Sequence, residues 1–378
     1  MKTFYEFFAG GGMVHAGLGS EWTCLFANDF STKKAEAYAA NWGDESLVVG
    51  DVALINSDQL PGQTDLAWGS FPCQDLSLAG NGAGLNGDRS GTFWHFIELM
   101  KCLKQDRRKP RLIVLENVCG AITSAGGKDF EAIVGAVSSL GYRCGAMVVD
   151  AVHFVPQSRP RLFIVAVDEM LDVSVRLRSD APNPAWHPSS IVKAYNRLPK
   201  KLRDGWLWWD MPAPEQRSKT LDEIIEASPQ GVDWNSSGET NKLLEMMSPI
   251  NRQKIIQAQA FGRLKVGTIY RRTRNGEQRA EIRFDGVSGC LRTPGGGSSR
   301  QTIMTVHGGI IRSRLLSTRE AARLMGLSDS YLLPPRYNDA YHLAGDGVVV
   351  PVIAHLAKHI FEPIVEVDHA AVLTRKAA

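Results

Sequence analysis

Over its first 170 residues the chain alternates short apolar runs with amphipathic stretches, and this rhythm restricts the fold more than any other feature. Runs at 3–8, 23–27, 47–49, 66–69, 112–115, 143–149 and 161–167 read as strands. Helical patterns at 31–41, 92–104 and 129–140 lie between several of them. Strands that take turns with helices pair in parallel, so the pattern predicts an α/β domain with a largely parallel sheet covered on both faces.

From about Asp180 the rhythm stops. Prolines cluster at 182, 184, 188, 199, 212 and 214, and Trp206, Trp208 and Trp209 crowd together, reading as a packing knot. Near Ser317 a helix signal returns: Ser317 with Glu320 three residues on fits a capping box. The predicted organisation is an α/β domain over 1–180, an insertion over 181–305 and a return to the first domain over 306–365. No uninterrupted run of about 18 apolar residues appears, so no membrane span is expected. The N-terminus lacks the pattern of a signal peptide and reads as the first strand. The six cysteines form no CxxC pair and suggest neither a disulfide framework nor a zinc site, so no metal and a reducing, cytoplasmic setting are expected. His355 and His359 share a helix face, but no third ligand is evident.

Four constellations carry chemistry. The first is Phe8-Ala9-Gly10-Gly11-Gly12, where a strand turns into a helix and glycines let a ligand approach the backbone. Asp29 and Asp51 end the next two strands, placed for ribose hydroxyls and an adenine amine. An adenosine-containing cofactor follows, and without GxGxxG, S-adenosylmethionine competes well with NAD. The second is Pro72-Cys73-Gln74, just past a strand and ahead of a loop over 78–91 with glycines at 80, 82, 84, 87 and 91; Cys73 reads as a nucleophile under a mobile lid. The third is Glu116-Asn117-Val118, a strand-end carboxyl fit for acid–base work. The fourth is Gln157-Ser158-Arg159-Pro160-Arg161, whose alternation puts both arginines on one side, facing a phosphate or a base edge.

In this order the four resemble the C5-cytosine DNA methyltransferases of bacterial restriction–modification systems. The resemblance spans roughly 1–170 and 305–360, with Pro72-Cys73, Glu116-Asn117-Val118 and Gln157 to Arg161 intact, joined by 319–326 and 345–352. It implies a Rossmann-like S-adenosylmethionine-dependent methyltransferase fold with a smaller inserted target-recognition domain. Catalytic roles pass to Cys73 (attack at cytosine C6), Glu116 (N3 and the exocyclic amine), and Arg161 aided by Arg159 (near O2), acting on a flipped-out base. The cofactor set becomes Phe8, Ala9, Gly10, Gly12, Asp29, Phe30, Asp51, Val52, Pro72, Phe93, Asp346 and Val348. Gln74, Ser77, Asn117 and Gln157 fall to the substrate. The sequence departs from the family at Glu6 (usually Asp), Met13 (often Gly) and Asp346 (usually Asn).

Charge gives the insertion a task. The whole chain, with 43 basic and 40 acidic residues, carries only +3, too little to argue for nucleic acid. Yet residues 252–300 hold eleven Lys and Arg, among them Arg271, Arg272, Arg274 and Arg292, against three acids: +8 locally. Such a concentration suits the phosphates of duplex DNA. The expected partners are duplex DNA and a cognate restriction endonuclease, with the chain a monomer. Three rivals stand beside this: an RNA (tRNA) cytosine-5 methyltransferase, a catalytically inactive DNA-binding relative and a nucleotide-dependent oxidoreductase. The first is disfavoured by the large basic insertion, the second by the intact Cys73, Glu116 and Arg161. The third lacks a dinucleotide glycine pattern.

Overall fold

The structure, a computed structural model, describes residues 1–72, 85, 91–274, 276–293 and 300–377. Two compact units emerge: 1–150 with 160–213 and 352–378, and 151–159 with 214–351.

The first unit is built on a seven-stranded sheet. Its strands are β1 (Lys2–Phe7), β2 (Trp22–Asp29), β3 (Leu47–Val49), β4 (Leu66–Gly69), β5 (Leu112–Val118), β6 (Tyr142–Asp150) and β7 (Pro160–Asp168), in the spatial order β3-β2-β1-β4-β5-β7-β6. The first five run parallel, while β7 is antiparallel to both β5 and β6. Strand order reverses between β1 and β4, the switch point at whose carboxyl edge open α/β sheets bind ligands. Helices α1 (Met13–Leu18), α2 (Thr32–Trp42), α3 (Thr92–Gln105) and α4 (Lys128–Ser139) occupy the connections. The buried runs of β4 (Leu66–Gly69) and β5 at 112–115 are apolar on both faces, as a doubly covered sheet requires, and β1 is too except at Glu6, with Tyr5, Phe7, Phe96, Ile113 and Ile164 in one core.

Residues 181–213 pack in this unit, not with the insertion as the sequence reading had them. A short ladder joins β8 (Arg178–Ser179) to β9 (Trp208–Trp209), and α5 (Ser189–Arg197) and α6 (Lys200–Asp204) lie between. Trp209 Nε1 donates to Val165 O at 3.0 Å, and Leu207 N donates to Cys144 O at 2.9 Å. Gly145 permits that approach, since a Cβ there would sit 1.8 Å from Leu207 O. Trp206, Trp208 and Tyr195 pack as tilted and edge-on pairs, the knot expected from their clustering. Loss of the βα rhythm therefore marked a covering of the sheet rather than a domain boundary.

The second unit holds α7 (Leu221–Ile224), α8 (Ser237–Glu245), α9 (Pro249–Ala260) and an antiparallel sheet of β10 (Lys265–Arg274), β11 (Glu277–Arg283), β12 (Thr302–His307) and β13 (Ile310–Leu315), ordered β11-β10-β12-β13. The expected boundary at 305 falls inside β12, which pairs with β10 and β13. Leu243, Met247, Ile255, Ile269, Ile282 and Val306 form its core. Here α10 (Thr318–Leu324) opens with the predicted capping box: Ser317 Oγ accepts from Glu320 N at 3.1 Å, and Glu320 Oε2 accepts from Ser317 N at 2.7 Å. The same carboxylate meets Arg314 Nη2 at 2.6 Å, and both side chains are wholly buried.

After α11 (Tyr337–Asp346) come α12 (Val350–Leu356) and α13 (Glu362–Ala377). The helical run Tyr337–Ala370 is long and apolar enough to cross a bilayer, but 56% of its most apolar window is buried inside the protein, as in a core helix. His355 Nε2 sits 3.0 Å from Pro212 O, and its ring lies 4.4 Å from that of His359.

Candidate active site

At the carboxyl edge of the first unit's sheet, β1 ends in a turn that two backbone bonds and one carboxylate define. Ala9 N donates to Asn28 O (2.9 Å), Gly12 N to Ala9 O (2.9 Å) and Gly10 N to Asp29 Oδ2 (2.8 Å). The second Asp29 oxygen accepts from Ser31 N at 2.8 Å. Each carboxylate oxygen keeps a further lone pair, so Asp29 can hold the turn and still accept from a hydroxyl. Phe30, next in sequence, is 77% exposed, an aromatic face uncovered at a strand end. Asp51 caps the short turn 52–54 through Ala53 N at 2.9 Å, and Asn28 Nδ2 donates to Val48 O and Gly50 O, fastening the end of β3 beside it. Val52 and Phe93 are buried, Phe93 packing 5.1 Å from Phe71, so they back the edge rather than line its surface.

Glu6, near the end of β1, is 1% exposed. Burial pushes its carboxyl up to about 8. The backbone amides of Val14 and His15 pull the other way, and the Asp29 charge adds to the rise.

The second part of the edge is formed by β5 and β7. Arg161 pairs with Val118 across the ladder and Glu116 with Phe163, which makes Glu116 and Arg161 diagonal neighbours on one face. Their side chains meet, Arg161 Nε lying 3.3 Å from Glu116 Oε1, with both mostly buried. Asn117 points elsewhere: its Nδ2 donates to Phe71 O at 3.0 Å, holding the chain just ahead of Pro72. That is a backbone-positioning contact, not the substrate contact expected of Asn117. Cys119, next in chain, has its thiol pushed up by burial, with Arg161 opposing and Asp150 and Glu116 adding. Cys73, Gln74 and Ser77 lie outside the described residues. Within 73–90 only Leu85 is described. It is buried, and its N–H reaches Asp129 Oδ1 at 3.4 Å, while Asp129 Oδ2 accepts from Ser124 Oγ at 2.5 Å. Nothing in the sequence singled out Asp129, which reads there as an ordinary acid in a helix's first turn.

Two residues of the fourth constellation are corrected. Arg159 does not share a base edge with Arg161. It belongs to the second unit, is 2% exposed, and donates to Leu291 O (2.8 Å), Gly345 O (2.8 Å) and Gly347 O (2.7 Å), with Cys290 Sγ at 3.3 Å. Gln157 is fully buried rather than surface-reading. Its Nε2 donates to Leu324 O (2.8 Å), and its Oε1 accepts from Leu291 N (2.9 Å). Strand β7 begins only at Pro160, so Arg159 lies outside the pleat and strand alternation does not reach it. In the same unit Asp346 Oδ1 accepts from Thr293 Oγ1, and Val348 is buried.

Of the basic segment, Arg271, Arg272 and Arg292 are exposed in the second unit, while the Arg274 side chain lies outside the described residues. Arg272, Arg279 and Arg283 face Glu281, Glu277 and Asp285 at its surface. Exposed pairs of this kind contribute little and give way readily to phosphate.

Comparison with known proteins converges on one family. The family model described as C-5 cytosine-specific DNA methylase matches residues 2–362. Among curated proteins, the Type II methyltransferase M.BsuFI of Bacillus subtilis is 26% identical over 94% of this chain and 71% of its own. The Type II methyltransferase M.HhaI of Haemophilus parahaemolyticus is 25% identical over 94% of this chain and 93% of its own. The Entamoeba histolytica methyltransferase EhMeth shares the fold with a TM-score of 0.62 at 14% identity, covering 96% of this chain and 98% of its own. With a strand-end carboxyl, a paired arginine and a glycine turn on one sheet edge, and a family match over nearly its whole length, the chain belongs to the C-5 cytosine-specific DNA methylases and is a DNA (cytosine-5-)-methyltransferase.

Proposed function

We propose that the chain methylates C5 of one cytosine within a specific duplex DNA sequence, with S-adenosylmethionine as donor and a covalent bond between Cys73 and C6 of a flipped-out base. The observation that carries this reading is the mostly buried Glu116–Arg161 pair, 3.3 Å apart at the carboxyl edge of the sheet. A carboxyl and a guanidinium on adjacent strands offer one group for N3 and the exocyclic amine and another for O2.

The residues around the glycine turn fit the cofactor: Gly10 and Gly12 for close approach, Asp29 with lone pairs for ribose, Phe30 as an uncovered face for adenine and Asp51 for its amine. Bound there, S-adenosylmethionine supplies an electrophilic methyl group. Cytosine C5 is a poor nucleophile until a thiolate adds to C6. Cys73 makes that bond while Glu116 delivers a proton to N3, leaving C5 enamine-like. Arg161 holds O2. Once C5 is methylated, its proton passes to a base, Glu116 recovers its own proton from N3, and the electron pair from the C5–H bond expels the Cys73 thiolate. The duplex stack covers both faces of the ring, so the base must leave the helix first. The exposed arginines of the second unit supply phosphate contacts for that grip. In keeping with the Type II relatives, a cognate endonuclease cutting the same sequence is the expected partner, and the enzyme works as a monomer in the cytoplasm.

Bisulfite sequencing of DNA from a host expressing the chain identifies the sequence and the cytosine. On a duplex carrying 5-fluorocytosine there, where no C5 proton can leave, the wild type should remain covalently attached. Cys73→Ser should lose methylation and attachment while binding the cofactor nearly as before. Full activity in Cys73→Ser, or methyl transfer to tRNA but not to DNA, refutes the reading.

A further inference from the structure

The glycine turn is held from a side that no sequence motif marks. Gly12 sits at φ 74°, and the space where its Cβ would stand is filled by the Trp42 indole, 2.3 Å from Nε1 and 2.5 Å from Cδ1. The same Nε1 donates to Gly11 O at 3.2 Å. Trp42 ends α2, thirty residues from the turn, and is itself backed. The His15 ring stacks on it with centroids 4.3 Å apart and planes 16° from parallel. His15 Nδ1 lies 3.2 Å from Tyr38 Oη, whose hydroxyl donates to Cys24 Sγ at 3.4 Å. Phe4 meets the other side of His15 edge-on at 5.3 Å.

Two side chains therefore grip one three-glycine turn: Asp29 takes the N–H of Gly10, and Trp42 takes the carbonyl of Gly11. A glycine-rich turn is otherwise the most conformationally free kind of backbone. Ordering it in advance removes a cost that ligand binding would have to meet. We infer that Trp42 is a positioning residue for the cofactor turn, raising cofactor affinity without touching the cofactor. The inference rests on reading residues 8–12 as the S-adenosylmethionine site. His15 is the second layer of the device. Burial pulls its pKa down to about 4, so at neutral pH an uncharged ring backs the indole.

Trp42→Phe keeps a ring against Gly12 and His15 but removes the N–H. Calorimetric titration of the full chain with S-adenosylmethionine should show binding weakened about fivefold, the scale of one net hydrogen bond. In methyl transfer to unmethylated genomic DNA, KM for S-adenosylmethionine should rise by the same factor, with kcat and KM for DNA unchanged. His15→Ala, which keeps the N–H but removes its backing, should weaken cofactor binding by a smaller factor. Both variants should remain folded under the assay conditions, which a urea midpoint measured beside each titration checks. Trp42→Phe binding within twofold of wild type overturns the inference. So does a parallel rise in KM for DNA, which would mark a general structural role. Should Trp42→Phe not fold, unchanged cofactor affinity in His15→Ala overturns it alone. A wild type that fails to bind S-adenosylmethionine instead refutes the assignment of the site, and the inference falls with it.

Discussion

Arg159 offers the clearest test of how the Gln157–Arg161 motif works. Its guanidinium donates to three backbone carbonyls, those of Leu291, Gly345 and Gly347, at 2.7–2.8 Å, and its side chain is 2% exposed. Nη1 and Nη2 serve different acceptors, so the group ties the chain at 290–291 to the chain at 345–347 within the second unit. In Arg159→Lys a single nitrogen replaces that planar fork and cannot span the same carbonyls. Hydrogen bonds to a charged donor contribute roughly 1.5–3 kcal/mol each, and a buried carbonyl left unpaired costs more than a bond never made. With at least one of the three bonds lost and another distorted, the expected destabilisation is about 2–4 kcal/mol. Urea unfolding, read as a shift in midpoint at constant slope, measures it. Under conditions where the variant stays folded, its kcat should stay close to the wild-type value, and activity should fall only as the variant unfolds. If Arg159→Lys keeps the wild-type midpoint to within about 0.5 kcal/mol yet loses kcat by orders of magnitude, the positioning argument is wrong and the residue acts on substrate.

Two further tests address buried charge. Glu6, with its folded pKa near 8 against 4.5 in a free side chain, contributes stability that is fully present below about 4.5 and is lost as pH rises through 8. Glu6→Gln should therefore gain on wild type by up to about 1.4 kcal/mol per pH unit as pH rises from 7 to 8, a range above the pH 4–6.5 window in which His15 titrates. Parallel urea midpoints that do not diverge over that range would show that Glu6 is ionised in the folded chain. Glu320→Gln removes the charge partner of Arg314 where both side chains are wholly buried, and should cost about 3–5 kcal/mol by differential scanning calorimetry. A change in Tm too small to register would mean that water reaches Arg314.

How much of this was readable beforehand differs by element. Strands β1, β2, β4 and β5 and helices α2 to α4 were legible because each buries an apolar run or stripe, and β3 because three apolar residues stand together between turns; local spacing alone records that. The reversed direction of β7 was not, since an apolar run looks the same whichever way it pairs. Residues 181–213 were assigned to the insertion because proline and tryptophan broke the rhythm. Bonds such as those of Trp209 to Val165 and of Leu207 to Cys144 reveal that they cover the sheet. Asp29 and Glu116 were found because a polar residue at the end of an apolar strand stands out locally. Trp42, Asp129 and the true partners of Arg159 were not, because each acts on backbone far away in sequence.

The sequence by itself thus determined the chemistry available: which side chains stand at strand ends, in what order, and where positive charge gathers. Tertiary structure decided which of them are spent on holding the fold. Arg159 and Arg161 are two residues apart and chemically identical, yet one lies against three buried carbonyls and the other against Glu116. A guanidinium satisfies whichever acceptors surround it, and those of Arg159 come from segments more than a hundred residues away that only folding brings near.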